Sequence, residues 1–340
     1  MKKMHVFRSA CLLLCLLWGL CGCEFRPLED PNRGVNIRVN VNVNTVSNVT
    51  THIYNEKIPV PEIYPDAMHV LFYEEGGDKL VSESFITKRE TGADGTCTMS
   101  GFANILPGTY RMLIYSLGTH YTDVHDYKSW SQIYATAVEV NDVIMNRYKT
   151  LATLNSRTSP MVTHTPDHVV VARNAAEKIP YYTDSYTIHA EATTVIETYY
   201  LQIKVDGLPY VSTAKAFLSG MASGNLLSKN EPIADPESVL YFKLEKSEDQ
   251  GEPVLCAVFN TFGRLEDSVN SLSITLDVST VDGRSESYTY DITGLFHSEL
   301  CQKYHWLLLE ERMQVQKPSG GGGYGPGVTE WEEDNHKVNF

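Results

Sequence analysis

Alternation of apolar and polar residues with a period of two is the feature that most constrains the fold of this chain. Residues 35–43 read V-N-I-R-V-N-V-N-V, which places the apolar residues on one face of an extended strand and the polar residues on the other. This pattern is typical of a half-buried β-strand, because successive side chains of a strand point to opposite faces. The sequence therefore predicts a strand whose buried face is formed by Val35, Ile37, Val39, Val41 and Val43.

The same period recurs along most of the chain. Further strands are predicted at 67–73, 79–86, 111–116, 133–140, 168–172, 186–192, 200–205, 214–218, 239–244, 254–260, 272–278, 285–292 and 304–314. Pro107-Gly108 and Asp282-Gly283 are typical turn sequences, and the second predicts a hairpin with a type I′ turn. No helical stripe is longer than two or three turns. Many short strands with few helices predict an all-β fold, with one Ig-like β-sandwich in each half.

A chain of 340 residues, 42% of them hydrophobic, can build two domains with separate cores. The alternation lapses into Ser, Thr and Pro at 155–166, which is the best candidate boundary. We therefore expect an N-terminal sandwich over 34–160 and a C-terminal sandwich over 161–317. Residues 23–33 would form a tether that precedes the first sandwich.

The segment 318–340 is a Gly-rich, acidic tail. Its first part, P-S-G-G-G-G-Y-G-P-G, has too few side chains to pack a core. One interpretation is a solvated tail. The other is an extended segment that adds to a sheet edge, of this chain or of a partner, through Trp331, Val338 and Phe340.

Residues 1–22 have the features of a targeting signal and are set aside from the fold. Three basic residues precede an apolar run at 10–20, about half of the roughly 20 residues that a membrane-spanning helix needs. The run ends in Leu20-Cys21-Gly22-Cys23, which resembles the bacterial lipobox, with an aliphatic residue at −3 and a small residue at −1. The sequence predicts lipidation of Cys23, and the alternative is an ordinary secretory signal that is cut nearby. Glu24 is compatible with sorting to the outer membrane, and the leaflet stays open.

The charge of the chain excludes one class of partner. The formal net charge is −14, and it becomes −17 without residues 1–22, because 25 basic residues then face 42 acidic ones. Such a surface repels phosphate backbones, so we expect no binding of nucleic acid.

Three cysteines remain in the folded part, at Cys97, Cys256 and Cys301. Their separations match neither a metal site nor a redox motif, and an odd number allows at most one disulfide. We expect buried thiols that pack as small apolar groups.

The lipobox, the two sandwich halves, the segment L-P-G-T-Y at 106–110 and the Gly-rich acidic end together resemble one protein family. It is a family of Bacteroidetes outer-membrane lipoproteins related to fimbrillin-associated anchor proteins. The segments L-S-G-M-A-S-G at 218–224 and F-N-T-F-G-R-L at 259–265 look like recurrent blocks of that family. The resemblance covers nearly the whole chain after the signal, but no chemistry attaches to these blocks.

The resemblance implies two transthyretin-like β-sandwiches in tandem and a place at the base of a surface fimbria. It implies a non-enzymatic anchor or assembly subunit, whose partners are the membrane, through the lipid, and fimbrillin-like subunits. Stalk subunits of such fimbriae polymerise by strand exchange after a protease removes an N-terminal strand, whereas an anchor keeps its own. The retained strand would be 35–43, so its apolar residues and those of the tail are the candidate strand-pairing residues.

Two histidine-containing segments carry metal-ligand types. The first combines His120, Asp123, His125 and Asp126 just after a strand, and the second has His164 and His168 around a Thr-Pro-Asp sequence. These side chains are acceptable Zn²⁺ ligands. The residues between them are typical of an ordinary polar loop, so we predict no metal site.

The sequence contains no motif for catalysis or for a cofactor. A Gly-x-Ser-x-Gly elbow, a P-loop and a dinucleotide-binding glycine pattern after a strand are all absent. We therefore predict that the protein is not an enzyme and uses no cofactor.

A surface glycan-binding lipoprotein is the alternative function. Its aromatic candidates for stacking on sugar rings are Tyr181-Tyr182, Tyr199-Tyr200, Trp130 and Trp306, which otherwise fill a core. A glycan binder is expected to expose a planar aromatic platform, and an anchor an open edge or groove. Separately, Asp267-Ser268-Val269 resembles a Bacteroidetes O-glycosylation site with Ser268 as the acceptor.

Overall fold

The fold is seen in a computed structural model of the chain. The structure describes residues 34–44, 56–61, 63–93, 95–152, 161–181, 183–265 and 272–318. Within these ranges no helix is long and apolar enough to cross a membrane.

The described part of the chain contains eighteen strands, three short α-helices and one turn of 3-10 helix at Leu208–Tyr210. The strands are β1 (Val35–Asn44), β2 (Met68–Glu74), β3 (Leu80–Ile86), β4 (Lys88–Thr91), β5 (Cys97–Ile105), β6 (Gly108–Ser116), β7 (Thr122–His125), β8 (Tyr134–Ala137), β9 (Met161–His164), β10 (Val170–Ile179), β11 (Ser185–Thr194), β12 (Glu197–Asp206), β13 (Val211–Leu226), β14 (Glu231–Asp249), β15 (Glu252–Thr261), β16 (Ser273–Thr280), β17 (Ser285–Asp291) and β18 (Trp306–Gln314). The helices are α1 (Asp142–Leu151), α2 (Thr293–Phe296) and α3 (Glu299–Tyr304). The predicted all-β class is confirmed, and each predicted strand overlaps an observed one.

The first sheet has eight strands in the order β3-β2-β6-β10-β11-β1-β5-β4. Only Thr87 separates β3 from β4, so one stretch of chain supplies both ends of the sheet. The sheet is therefore folded back on itself, and seven of its eight strands, all except the exposed β4, contribute to one apolar core. That core includes Ile37, Val70, Met99, Ile114 and Val170.

The second sheet runs β17-β16-β13-β14-β15-β12-β18, with β8 and β9 attached to β13 and β14. Its core takes side chains from six of these strands and from the helices α2 and α3. The Tyr288 hydroxyl donates to the carbonyl oxygen of Gln314 at 2.7 Å. Arg284 Nη2 donates to the carbonyl oxygen of Gln316 at 3.0 Å. These bonds join β17 and the turn before it to the last residue of β18 and the chain that follows, so the two end strands of this sheet also lie close together.

A third apolar cluster joins the two sheets. In β2, Val70 and Phe72 enter the first core, while Leu71 and Tyr73 point to the other face and join a cluster that includes Ala135 of β8 and Ala222 of β13. Alternate residues of β2 therefore serve two cores, which explains why six consecutive residues of this strand are buried. The hairpin of β13 and β14 extends into this cluster, because β13 pairs with β8 from Gly224 to Leu226.

The chain passes between the two sheets more than once. Strands β10 and β11, over 170–194, lie in the first sheet, whereas β8 and β9 pair with strands of the second. On each side of the predicted boundary at 155–166, the chain therefore contributes strands to both sheets.

Helix α1 covers the outer face of the second sheet. Asn141 caps it, because its Oδ1 accepts a hydrogen bond from the backbone N–H of Ile144 at 3.1 Å. Ile144 then packs against Phe217 and Tyr241. Arg147 Nε donates to Asp277 Oδ2 at 2.8 Å, which fixes the helix across the sheet.

Candidate functional site

The N-terminal strand β1 occupies an inner position of the first sheet. It pairs antiparallel with β5 from Val35 opposite Ile105 to Val43 opposite Cys97. It pairs parallel with β11 from Asn36 opposite Ser185 onward. Both backbone edges of the strand are therefore used along nearly its whole length, and β1 leaves neither edge open.

The apolar face of β1 is buried in the first core, as the alternation predicts. Ile37, Val39 and Val41 have no exposed surface, and Val35 and Val43 retain 2% and 7%. Burial of one aliphatic side chain of this size contributes about 1.5–3 kcal/mol. The five side chains together therefore contribute on the order of 10 kcal/mol, which is an upper bound because unfolded chains are already partly compact. Loss of β1 would open a deep apolar groove.

The outer face of β1 forms a polar ladder with its neighbours. Asn104 Nδ2 donates to Asn36 Oδ1 at 3.1 Å, and Thr98 Oγ1 donates to Asn42 Oδ1 at 3.2 Å. Arg38 lies opposite Phe102, whose ring is 72% exposed. These cross-strand contacts fix the register of β1, because a shift by one residue would reverse its two faces.

The chain that leads from β1 to β2 contacts the second sheet through Lys57. Lys57 Nζ donates to Asp249 Oδ1 at 2.7 Å, and Gln202 Nε2 donates to Asp249 Oδ2 at 2.8 Å. The hydrogen bond from Lys57 is the largest cause that lowers the pKa of the Asp249 carboxyl. The ammonium group also lies 4.6 Å from the ring centroid of Trp306, within the range of a cation–π interaction. Ile58 next to it is buried.

Sequence reasoning missed this contact. Residues 51–61 show no period of two, so the sequence gives no indication of a structural role for Lys57. Only the fold brings it to Asp249, 192 residues further along the chain.

The histidine and aspartate side chains of residues 120–126 do not converge on one point. His125 Nε2 lies 2.9 Å from Thr136 Oγ1, and its ring stacks on Tyr134. His120 lies at the surface instead, on a segment bonded to Asp167. In the part of the chain that the structure describes, no three His, Cys, Asp or Glu side chains are arranged to hold a metal ion.

His164 and His168 have separate surroundings. The ring of His164 stacks on Tyr121, with 4.5 Å between the centroids. His168 Nδ1 lies 3.1 Å from Thr194 Oγ1 and Nε2 lies 3.4 Å from Thr198 Oγ1. Burial lowers the pKa of the His168 imidazole from 6.5 to about 4. This ring is therefore neutral near pH 7 and joins strands β11 and β12.

The three cysteines of the folded part are free thiols. Cys97 and Cys301 are buried, and Cys256 is half-buried. Burial raises the pKa of the Cys97 thiol, and it raises the pKa of Cys301 to about 12. Cys97 and Cys301 therefore stay protonated and behave as small apolar side chains.

The aromatic residues considered for glycan stacking do not form a platform within the described ranges. Tyr199 and Tyr200 are buried. Trp130 packs edge-on against Tyr73, and Trp306 packs against Tyr200 and Lys57. Tyr181 is 62% exposed.

Several predicted site residues lie outside the described residues. They are the lipidation residue Cys23, the glycan-stacking candidate Tyr182, the O-glycosylation candidate Ser268 and the tail residues Trp331, Val338 and Phe340.

Comparison with known proteins gives similarities of three kinds: to a family model, to a curated relative and to solved structures. The model of a family described as a domain of unknown function, DUF5119, matches residues 43–242, from the end of β1 into β14. The "Putative fimbrium anchoring subunit Fim4B" of Bacteroides ovatus is 20% identical over 360 residues, covering 95% of this chain and 96% of the relative. The crystal structure of a "putative adhesin" from Bacteroides ovatus superposes with a TM-score of 0.57 at 16% identity, covering 88% of this chain and 99% of that one.

Proposed function

The chain belongs to the DUF5119 family, and from this premise we propose that it is a lipid-anchored, non-enzymatic anchor or assembly subunit of a fimbria-like surface structure. The similarity to a fimbrium anchoring subunit, which extends over nearly the full length of both chains, supports this function. The expected resemblance to fimbrial anchor proteins is thereby confirmed.

One observation carries the anchor role within that class. Strand β1 is an integral inner strand of the first sheet, and its face of Ile37, Val39 and Val41 is buried. A stalk subunit would lose this strand to a protease before it accepts one from a neighbour, whereas an anchor keeps it. Here the chain that precedes β1 leads back through an eleven-residue tether, 23–33, to the proposed lipid at Cys23. Retention of β1 would therefore connect the folded body directly to the membrane.

The lipid at Cys23 would supply the attachment. A single acyl chain holds a protein at a membrane only weakly, whereas several chains on one residue hold it firmly. We place the protein at the cell surface, held in the outer membrane by this lipid. The fimbrial partner would be a fimbrillin-like subunit, and the second pairing segment would be the tail with Trp331, Val338 and Phe340.

The two sheets support a division into two sandwich domains of the transthyretin-like kind. Each sheet has its own core, and the sheets meet at a smaller third cluster. On this proposal, the first domain, expected over 34–160, also includes β10 and β11. The second, expected over 161–317, ends shortly after β18.

Crosslinking in intact cells followed by pull-down tests the function. The wild type is compared with Cys23→Ala and with a matched control, Cys21→Ala, which removes a cysteine from the signal and keeps the lipidation residue. We expect wild type and Cys21→Ala to capture a fimbrillin-like β-protein on the cells, and Cys23→Ala to release the captured complex into the medium. Capture of transport proteins or polysaccharide alone would contradict the anchor role. A variant without residues 328–340 that still captures the subunit would contradict the role of the tail.

A further inference from the structure

A cleft of about 240 Å³ opens beside the first sheet, where the segment before β2 meets the segment after β6 and the one before β10. This volume is below the usual range for drug-sized ligands and suits a single small ring. The Tyr64 ring lies in the cleft and is 37% exposed. Asp66, His120 and Asp167 add polar groups, and the rings of Pro61 and Pro65 add flat apolar surface.

Backbone contacts hold the polar side chains of this cleft in place. Asp167 Oδ2 accepts hydrogen bonds from the backbone N–H groups of His120, at 2.6 Å, and Tyr121, at 2.5 Å. No protein donor reaches Asp167 Oδ1 from the residues that the structure describes. On the opposite side, Arg89 Nη1 donates to the carbonyl oxygen of Tyr64 at 3.1 Å and lies 3.4 Å from Asp66 Oδ1. The Tyr64 hydroxyl and the His120 ring likewise make no hydrogen bond to any residue within the described ranges, so their hydrogen-bonding capacity is open to a ligand.

The chemistry of this set selects a class of ligand. Carboxylates accept hydrogen bonds, while a phenol and a neutral imidazole both donate and accept. A hydroxyl group does both as well, so a polyhydroxylated ring can satisfy every member of the set. The carboxylates of Asp66 and Asp167 would repel an anionic ligand. Arg89, which lies beside Asp66, would repel a cationic ligand. The Tyr64 ring adds a flat face on which the C–H side of a pyranose can lie.

We propose that the cleft between Tyr64 and Asp167 binds one neutral sugar residue of a glycan. Asp167 Oδ1 accepts hydrogen bonds from sugar hydroxyls, the Tyr64 ring stacks on the pyranose, and His120 bonds at the rim. This site does not rest on the anchor function, and none of its residues is among the aromatic residues considered for glycan binding from the sequence.

Saturation-transfer-difference NMR on the full chain in detergent tests the site. The probes are the methyl glycosides of mannose, galactose, glucose and N-acetylglucosamine, each at ~10 mM, at which a millimolar site is largely filled. Arginine methyl ester at the same concentration serves as the cationic probe. The variants are Tyr64→Ala and Asp167→Asn, which keeps an oxygen for the two backbone donors. Tyr181→Ala removes another exposed tyrosine and is the matched control.

We expect at least one glycoside to bind the wild type and the Tyr181→Ala variant alike. Its affinity should fall about tenfold or more in Tyr64→Ala and in Asp167→Asn, with unchanged thermal midpoints. Absence of saturation transfer to every glycoside, equal transfer in all variants, or binding of the arginine ester alone would overturn the proposal. Because the readout involves neither membrane nor fimbrial subunit, its failure would leave the anchor function standing, and the reverse also holds.

Discussion

Gly101 lies opposite Val39 at the place where the chain of β3 and β4 crosses β5. A Cβ atom at Gly101 would lie 2.7 Å from Ile86 Cγ2 and 2.9 Å from Ile86 Cβ, closer than real contacts allow. The absence of a side chain therefore lets the sheet fold back on itself. This is a requirement for space, because the backbone of Gly101 does not need a positive φ.

We predict that Gly101→Ala lowers the free energy of unfolding by about 1–3 kcal/mol through overpacking. The measurement is urea unfolding followed by tryptophan fluorescence. Gly294→Ala is the matched control, because nothing lies within 4 Å of a Cβ there. Equal stability of the two variants would show that Ile86 moves aside at little cost.

His168 is a residue whose burial makes stability depend on pH. Its pKa is about 4 in the folded protein against 6.5 for the free side chain, so between these values the unfolded state binds the proton more readily. Stability therefore falls as the pH drops from 6.5 towards 4, and below the folded pKa this contribution no longer changes. The full effect is about 3 kcal/mol.

The variant His168→Gln retains hydrogen-bonding groups but does not titrate. We predict that its free energy of unfolding falls by about 2 kcal/mol less than that of the wild type when the pH is lowered from 7 to 4.5. The measurement is urea unfolding at both pH values, and the difference between proteins cancels the other titrating groups. Parallel losses in the two proteins would refute the assignment to His168.

At the scale of elements, β1 is the strand on which the proposed function depends. We predict that Val39→Asp destabilises the protein by about 3–5 kcal/mol, because it buries an unpaired charge in the core. Asn36→Asp is the matched control, since its side chain faces outward and still accepts the bond from Asn104. Urea unfolding measures the stability, and amide hydrogen exchange should show lost protection in β5 and β11 in the first variant only. Unchanged protection in both variants would mean that β1 is dispensable for the sheet.

The neighbouring strand β5 shows why some elements are harder to predict than β1. Its inward residues Cys97, Met99, Ala103 and Ile105 do alternate, but Gly101 interrupts the apolar face and the exposed Phe102 places an aromatic residue on the polar one. Both exceptions arise from tertiary structure. The chain of β3 and β4 crosses β5 at Gly101, and the outer face of the sheet at Phe102 is open to solvent. Local periodicity gives no information about either exception, so the sequence predicts β1 but does not predict β5.

At the scale of the whole molecule, pairing between distant strands is what the sequence does not contain. The parallel pairing of β1 with β11 joins Ile37 to Tyr186, and a period of two identifies both strands without indicating that they are neighbours. The buried face of β1 is therefore predictable from the sequence, whereas its pairing with β11 is not. For the same reason, the sequence does not indicate the contacts of Lys57, whose partners Asp249 and Trp306 belong to the second sheet.

Lys57 connects the two halves, and the strength of that connection can be measured. The side chains of Lys57 and Asp249 are only 20% and 28% exposed, so water screens their ion pair less than it screens a surface pair. We predict that Lys57→Met and Asp249→Asn each lower the free energy of unfolding by about 1 kcal/mol. The double variant should lose less than the sum, with a coupling energy of about 0.5–1 kcal/mol.

The matched control is the pair Lys88 and Glu90, which makes a similar contact with side chains 65% and 63% exposed. The same double-mutant cycle there, with Lys88→Met and Glu90→Gln, should give a coupling energy near zero. Measured by urea unfolding at low and high salt, a coupling confined to Lys57 and Asp249 would show that the chain after β1 stabilises the molecule across its two sheets. Additive losses in both cycles would mean that Lys57 merely rests on the second sheet, and that the third apolar cluster alone holds the halves together.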